Sequence, residues 1–361
     1  MKSFRILALL STLFTGFLIF VGGLVRVSGA GLGCPDCPKC FGSWIPPLSV
    51  ADIPANIDPS HFNITLAWIE YSNRLVGVLL GFIIVAMAIQ AIRHFRHVKS
   101  ILYPSIISAL LVAFQGWQGS AVVSSSLESI LVSTHLMIAL VLASLLIWVT
   151  IQGYAYENGG DNSTPRRFSK EMYLWVIGLY VISILQIVLG TVVRTAVERV
   201  GGEVASGKIL SQAGNIVDVH MIIGLVVTII TVVGALWLIK QVSNPPVLLV
   251  RSAQLLVAVS IIQAVLGLAL LVMGLVPLAQ LYHLWFSSLQ VGLALVLFCG
   301  LRMADALPER SQHSVGQAIL ILVVVVVVLG IGGQWVIHQA EQSRGLAHAP
   351  TPVETISSLT E

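Results

Sequence analysis

The sequence predicts an all-α polytopic membrane protein, built as a tandem-duplicated pair of four-helix bundles with an extra C-terminal transmembrane helix. Three observations predict this fold class. The 361 residues are 57% hydrophobic and only 10% charged, against about 25% charged residues in soluble domains. Long apolar runs recur along the chain, and polar motifs recur at a fixed interval. The composition excludes a soluble enzyme, a nucleic-acid binder and a disordered scaffold.

Nine apolar runs are each long enough to cross a bilayer. A hydrocarbon core of about 30 Å needs roughly 20 apolar residues, because lipid offers no partner for bare backbone groups. The first run follows Lys2 and Arg5, but it is too long for a cleaved signal peptide and lacks a small-residue cleavage site. The predicted spans are 6–27, 64–92, 101–123, 129–152, 172–197, 214–239, 252–275, 279–301 and 316–338.

The Lys and Arg residues of the short loops predict the orientation, because positively charged loops stay in the cytoplasm. Twelve of the nineteen fall on one side, so the N-terminus is predicted to be cytoplasmic, with the loop 28–63 and the tail 339–361 outside. The tail is polar and contains proline, so we expect it to be disordered. The twelve are Lys2, Arg5, Arg93, Arg96, Lys99, Arg166, Arg167, Lys170, Lys240, Arg251, Arg302 and Arg310.

The two halves of the chain repeat each other. Three pairs of motifs share an interval of 147 or 148 residues: N-R-L-V-G at 73–77 with H-M-I-I-G at 220–224, Q-x-x-x-G at 115–119 with 263–267, and His-Leu at 135 with 283. A fourth pair, G-x-x-x-R at 22–26 and 190–194, has a longer interval because the first outer loop is longer.

This repetition predicts two bundles, 1–153 and 154–303, related by an axis along the membrane normal. The segment 304–338 carries the extra helix, and 339–361 is the tail.

Three histidines lie at membrane depth near the predicted outer ends of their spans. His135, His220 and His283 fall within the first two turns of helices that enter from outside, roughly 5–10 Å below the edge of the apolar layer. Polar groups at this depth mark functional sites. His220 and His283 can face each other across one bundle, as in four-helix bundles that hold haem. For any single histidine, the alternative is a hydrogen bond to a neighbouring helix.

Four charged residues belong to the same outer layer. Arg26, Arg74 and Arg194 lie at the outer ends of the first, second and fifth spans, where a guanidinium fork can bind a carboxylate such as a haem propionate. Otherwise they would extend to lipid headgroups. Glu70 lies one helical turn before Asn73, on the same face. Its carboxylate can move a proton, or it can pair with an arginine for structure alone.

Three cysteines, Cys34, Cys37 and Cys40, lie in the predicted outer loop, whereas Cys299 lies inside the eighth span and is expected to be inert. A C-x-x-C pair suggests zinc or redox chemistry, but a fourth ligand is missing and the outer compartment is oxidising. The cysteines therefore predict one disulfide and one spare thiol.

Together these motifs resemble the haem A synthase family, membrane enzymes that supply haem A to cytochrome oxidases. The resemblance covers about residues 5–303. It rests on G-G-L-V-R-V-S-G-A-G-L-G-C at 22–34, E-Y-S-N-R-L-V-G at 70–77, the Q-x-x-x-G helices and the two His-Leu helices.

The resemblance implies two fused bundles with separate haem sites. His220 and His283 would hold a haem b that passes electrons, and His135 would be the proximal ligand of the substrate, haem O. The implied reaction oxidises one ring methyl of haem O to a formyl group. The family's essential glutamate falls on Glu70, which would handle a proton or stabilise positive charge near that methyl. A cysteine pair of one family class falls on Cys34 and Cys40.

The chain departs from the family pattern in four places. Asn73 stands where a histidine is common, Cys37 has no counterpart, the loop between the fifth and sixth spans lacks cysteines, and a ninth span follows the usual eight. Asn73 either inactivates the N-terminal site or leaves one coordination position of the substrate iron open, as oxygen activation requires. Because Glu70 and Arg74 remain, we favour retained activity.

Two other functions agree with the same residues: a non-catalytic membrane haem b protein that carries electrons, and a haem carrier or assembly factor for an oxidase. The resemblance implies haem O synthase as substrate supplier, cytochrome oxidase as product acceptor, membrane lipid, and an electron donor not yet identified. No nucleic-acid partner is expected. The lack of an Arg/Ser-rich leader favours a bacterial inner (plasma) membrane.

Overall fold

The computed structural model describes residues 2–157, 168–200, 213–303 and 309–347, and these residues are almost entirely helical. Within them, nine helices are long and apolar enough to cross a membrane. The helices are α1 (Lys2–Val27), α2 (Ile64–His94), α3 (Lys99–Ser124), α4 (Ser129–Glu157), α5 (Lys170–Val200), α6 (Ile216–Gln241), α7 (Val247–Val272), α8 (Pro277–Met303) and α9 (Glu309–Ala347). The chain is therefore an all-α multi-pass membrane protein, which confirms the predicted class.

The first eight helices pack as two rings of four. In the first ring, α1 contacts α2 and α4, and α3 packs between those two. In the second ring, α5 contacts α6 and α8, and α7 packs between them. Helix α8 also packs on α1 and α4, so the rings share one interface, while α9 lies mainly against α1 and α7. The same packing order in both rings is what a duplicated unit would give.

Helix α8 is the central element of the molecule. In the most apolar 18-residue stretch of α8, 67% of the residues are buried, against 17–28% in the corresponding stretches of the other eight helices. Its Trp285 indole nitrogen donates a hydrogen bond to the Gly16 carbonyl of α1 at 2.9 Å. The indole therefore joins the two rings, and α8 is held from both sides.

Several helix ends differ from the predicted spans, among them both ends of α7 and both ends of α9. Helix α7 begins at Val247 instead of 252, because Pro245 and Pro246 precede it and proline favours the start of a helix. It ends at Val272 instead of 275, where Gly274 has a positive φ of 81°, the conformation that commonly terminates helices. Helix α9 begins at Glu309 instead of 316 and runs to Ala347.

The predicted disorder of the tail is wrong for residues 339–347, which are helical. This stretch is rich in Gln, Ala, Glu and Arg, which are good helix formers although they are not apolar. The rest of the tail, 348–361, lies outside the described residues.

The outer loop between α1 and α2 folds back on α2. A disulfide joins Cys34 to Cys40, and the Asp36 carboxylate accepts hydrogen bonds from the backbone N–H groups of Phe41 at 2.6 Å and Gly42 at 2.8 Å. At Gly33 a side chain would collide with the backbone of α2, so only glycine permits this approach. The loop is a compact cap on the end of the first ring at which α1 ends and α2 begins.

Candidate functional site

A cavity of about 610 Å³ lies inside the second ring. This volume falls within the ~300–1,000 Å³ typical of small-molecule and cofactor sites. Most of its lining is apolar, and His220 of α6 and His283 of α8 are among the polar lining residues. An apolar chamber with two imidazoles suits a large planar cofactor that binds through its metal.

The two imidazoles lie close together at this cavity. Their ring centroids are 6.3 Å apart and their planes are inclined by 76°. With metal–nitrogen bonds of about 2 Å on each side, imidazoles on opposite faces of one metal ion have centroids roughly 6 Å apart. The separation of His220 and His283 therefore fits joint ligation of one metal ion.

Two glycines make room for these rings. A Cβ atom at Gly190 of α5 would lie 3.2 Å from His220 Cε1, and one at Gly267 of α7 would lie 3.4 Å from His283 Cε1. Contacts of 3.2 Å are tighter than ordinary van der Waals packing, so a side chain at Gly190 would push the imidazole. The backbone of each neighbouring helix is thus a cradle for a histidine.

A glutamine side chain binds the backbone of His220, and several buried polar atoms of this site have no hydrogen-bond partner among the described residues. Gln186 Nε2 donates to the His220 carbonyl at 2.7 Å and lies 3.1 Å from His220 Nδ1. Among the described residues, His283 Nδ1 and the Oε1 atoms of Gln186 and Gln263 are buried with no hydrogen-bond partner. Buried polar atoms usually have one, so these atoms fit a site built for a bound group. The residues present therefore fit a haem.

Charged side chains form the rim of the cavity. Arg26 of α1 and Arg194 of α5 both line it. Both contact Glu198: Arg26 Nη2 lies 2.9 Å from Glu198 Oε1, and Arg194 Nε lies 2.8 Å from the same oxygen. Arg194 also hydrogen-bonds to the Gln280 side chain. The structure thus brings two of the predicted arginines to one cavity, although they come from different rings.

The first ring contains a partial copy of this arrangement. Gln115 Nε2 donates to the His135 carbonyl at 2.9 Å. A Cβ at Gly119 would lie 3.8 Å from His135 Cε1, and His135 Nδ1 is buried without a partner in the part of the chain that the structure describes. His135 therefore has the same kind of surroundings as His283.

The first ring has no counterpart of His220, because Asn73 occupies the equivalent position. Gly22 of α1 is the repeat equivalent of Gly190, yet nothing lies within 4 Å of its Cβ position. Asn73 is half-buried on α2 and is shorter than the histidine that occupies the equivalent place on α6. Where an imidazole packs on glycine in the second ring, the first ring therefore has open space at Gly22.

Glu70 and Arg74 form a buried ion pair beneath the outer loop. Arg74 Nε lies 3.0 Å from Glu70 Oε1, with side chains 15% and 6% exposed. The other two nitrogens of the guanidinium donate to loop carbonyls: Nη1 to Asp36 at 2.7 Å and Lys39 at 2.9 Å, and Nη2 to Cys34 at 2.7 Å. A propionate would reach Arg74 only if the guanidinium released the loop.

The remaining cysteines are separate from these sites. Cys37 is free and exposed, and Cys299 is free and buried in α8. Among the described residues, no group of three or more His, Cys, Asp or Glu side chains is placed to hold a metal ion by itself. Because Cys34 and Cys40 are joined in a disulfide, Cys37 is the free thiol of the three outer-loop cysteines.

Two residues that contact the predicted site residues, Glu198 and Gln186, were not predicted from the sequence. Glu198 lies one helical turn after Arg194, a spacing at which a glutamate and an arginine pair on a helix surface, so this partner could have been found. Gln186 lies one turn before Gly190, but nothing in the sequence indicates that its amide holds the backbone of His220.

Fold and site define a helical membrane protein with a histidine-lined cofactor cavity. Residues 5–200 match the COX15-CtaA family, described as cytochrome oxidase assembly protein. This match spans more than half of the chain, and the chain belongs to that family. A haem-related substrate or cofactor and a role in cytochrome oxidase assembly are consistent with this membership.

Three relatives of this chain are each named Heme A synthase. The chain is 25% identical to Heme A synthase of Halalkalibacterium halodurans over 251 residues, covering 67% of this chain and 78% of that protein. It is 24% identical to Heme A synthase of Shouchella clausii over 306 residues, covering 82% and 95%. Heme A synthase of Shewanella oneidensis is 30% identical over 141 residues, covering 38% and 42%.

Proposed function

We propose that this protein is a haem A synthase, an oxidoreductase that oxidises a ring methyl of haem O to a formyl group and so makes haem A for cytochrome oxidase. The observation that carries the proposal is the pair His220 and His283 on one cavity, in a chain whose relatives are named for this activity. The substrate site belongs to the bundle 1–153, and the haem b site to the bundle 154–303.

In the second bundle, His220 and His283 hold haem b between α6 and α8. When bound, this haem supplies one-electron transfer. Gly190 and Gly267 leave space for the imidazoles, and Gln186 fixes the backbone of His220. Arg26 and Arg194 line the rim, where their guanidinium groups anchor the propionates. Together these residues would fix the orientation of the bound cofactor.

In the first bundle, His135 holds the substrate haem O from one side. The open space at Gly22 leaves the side near Asn73 free of a protein ligand, as oxygen chemistry at the substrate requires. Support comes from the buried, unpartnered His135 Nδ1. The substitution at Asn73 is therefore compatible with activity.

Glu70 acts beside the substrate methyl. Its Oε1 faces Arg74, so Oε2 is the atom that we assign to proton transfer or to stabilising positive charge during oxidation. Arg74 positions this carboxylate instead of anchoring a propionate, because its other contacts are with the outer loop.

The proposed reaction also implies partners, and the charged residues indicate an orientation in the membrane. Haem O synthase supplies the substrate, cytochrome oxidase accepts the product, and a separate electron donor reduces the cofactor. We propose a bacterial inner (plasma) membrane as the location. The distribution of Lys and Arg supports a cytoplasmic N-terminus and a C-terminus outside.

A Glu70→Gln variant tests the function. Co-expressed with a haem O supplier, the wild-type protein should give haem A in the extracted pigments, recognised by its formyl absorption band. The variant should keep the haem b spectrum but reduce haem A at least 100-fold, the low end of a general acid–base contribution. Glu128→Gln, which changes an exposed carboxylate at the outer end of α4, should behave as wild type.

Two results would contradict the proposal. Undiminished haem A in Glu70→Gln would remove the assigned role of this carboxylate. Absence of haem A from wild-type cells that do contain haem O would favour the electron carrier instead.

A further inference from the structure

The rim arginines of the cavity are already paired with a carboxylate of the protein. Glu198 Oε1 lies 2.9 Å from Arg26 Nη2 and 2.8 Å from Arg194 Nε, and Oε2 lies 3.2 Å from Arg26 Nη2. Arg26 and Arg194 line the cavity, and among the described residues Glu198 is not part of that lining. The carboxylate therefore pairs with both guanidinium groups without itself lining the chamber.

The three side chains of this pairing are partly exposed, so the pairing can exchange. The side chains are 29% exposed for Arg26, 32% for Arg194 and 38% for Glu198. Ion pairs between partly exposed groups are weak, because water and salt screen them. A guanidinium fork binds an incoming carboxylate by two parallel hydrogen bonds, so a ligand with acidic groups can compete for the same nitrogens.

The charges at the rim favour such competition. While Glu198 is bound, its negative charge offsets one of the two positive charges of Arg26 and Arg194. When Glu198 leaves, both guanidinium groups can turn to the ligand. A ligand that fills the apolar chamber and carries two carboxylates at one edge makes use of both.

We propose that Glu198 is a displaceable internal carboxylate, which occupies Arg26 and Arg194 until the acidic edge of the ligand replaces it. The ligand class is a flat apolar ring system with two carboxylates on one side. The inference deepens the proposed function and rests on it for the identity of that ligand. Glu198 then opposes binding of the dicarboxylate and has no effect on an uncharged analogue.

The test compares two porphyrins that differ only in their acidic groups. Iron protoporphyrin IX and its dimethyl ester are titrated into the full-length, haem-free protein in detergent, and binding is followed by Soret absorbance. In Glu198→Gln, which keeps shape and hydrogen bonding but removes the charge, affinity for the diacid should rise about fivefold, the upper range for a partly exposed ion pair. Affinity for the diester should not change.

Glu171→Gln is the matched control. Glu171 is exposed near the opposite end of the same helix, so its replacement should alter neither affinity. If Glu198→Gln is poorly folded, Glu198→Asp replaces it in the test. The shorter side chain should give a smaller gain in the same direction.

The outcomes separate this inference from the proposed function. Unchanged or reduced diacid affinity in Glu198→Gln, or an equal change for diacid and diester, overturns the role of Glu198 while haem binding stands. Failure of wild-type protein to bind either porphyrin overturns the haem site itself, and with it the proposed function.

Discussion

At the residue scale, each candidate haem histidine rests against a glycine of a neighbouring helix. The three pairs are Gly119 with His135, Gly190 with His220, and Gly267 with His283. In each pair the missing side chain lets an imidazole approach the backbone. The distances differ, at 3.8, 3.2 and 3.4 Å respectively, so the tolerance to a methyl group should also differ.

Gly190→Ala should disturb the proposed haem b site. The new methyl would lie 3.2 Å from His220 Cε1, and overpacking of this kind destabilises by about 1–3 kcal/mol. We expect shifted electron paramagnetic resonance g-values for a haem bound at this site and a lowered unfolding temperature. Gly178→Ala is the control on the same helix, because nothing lies within 4 Å of its Cβ position. Identical spectra for both variants would show that His220 is not held by this contact.

Sequence reasoning at this scale finds residue types that are rare at membrane depth. His220, His283, Arg26 and Arg194 stand out because polar groups in hydrocarbon are rare and costly, and the structure does bring these four to one cavity. The direction of Arg74 could not be predicted. Its contacts depend on how the outer loop folds back in three dimensions, and the pattern of residues along the chain does not predict that fold.

At the scale of elements, the outer loop and α2 form one unit through Arg74. The guanidinium joins three loop carbonyls to the carboxylate of Glu70. Movement of the loop would therefore disturb this carboxylate directly.

Arg74→Gln should release the loop. Removing one partner of a buried ion pair costs about 3–5 kcal/mol, so we expect a lower unfolding temperature and faster amide hydrogen exchange across residues 34–42. Arg93→Gln, at the exposed C-terminal end of α2, is the matched control. Unaltered exchange in Arg74→Gln would mean that the loop is held by the disulfide and its apolar contacts alone.

The helices themselves were largely predictable, because the length of an apolar run is set by the thickness of the bilayer. The exact ends of the helices were not predictable, because local residues such as proline and glycine determine them. Helix α7 starts after Pro246 rather than after Arg251, and α9 continues to Ala347 through residues that are polar. Hydropathy detects the part of a helix that lies inside lipid, but it does not indicate how far the helix extends into water.

Helix α9 supports α8 near the candidate ligand His283. The Tyr282 hydroxyl donates to the Val327 carbonyl of α9 at 3.0 Å. Deleting residues 304–361 should leave this hydroxyl without its acceptor and reduce stability by about 1–3 kcal/mol, while haem conversion continues. Thermal unfolding and pigment extraction measure the two effects. Tyr282→Phe in the full chain should show a smaller loss, and disappearance of haem A from the truncated protein would instead give α9 a functional role.

At the scale of the whole molecule, Cys37 reports the orientation. It is exposed in the outer loop, whereas Cys34 and Cys40 are joined and Cys299 is buried. A membrane-impermeant maleimide should therefore label intact spheroplasts at Cys37 and should not label a Cys37→Ser variant. Labelling that requires permeabilised membranes would place the loop 28–63 in the cytoplasm and reverse the proposed topology.

Helix α1 serves both rings. It carries Arg26 to the rim of the second cavity and accepts the hydrogen bond from Trp285. A gene that encoded only the second unit would make a chamber with one wall and one guanidinium missing. Because these contacts cross between the rings, neither ring could be separated from the other without loss of contacts. Mutual dependence of this kind preserves a fused gene even while its two halves diverge in chemistry.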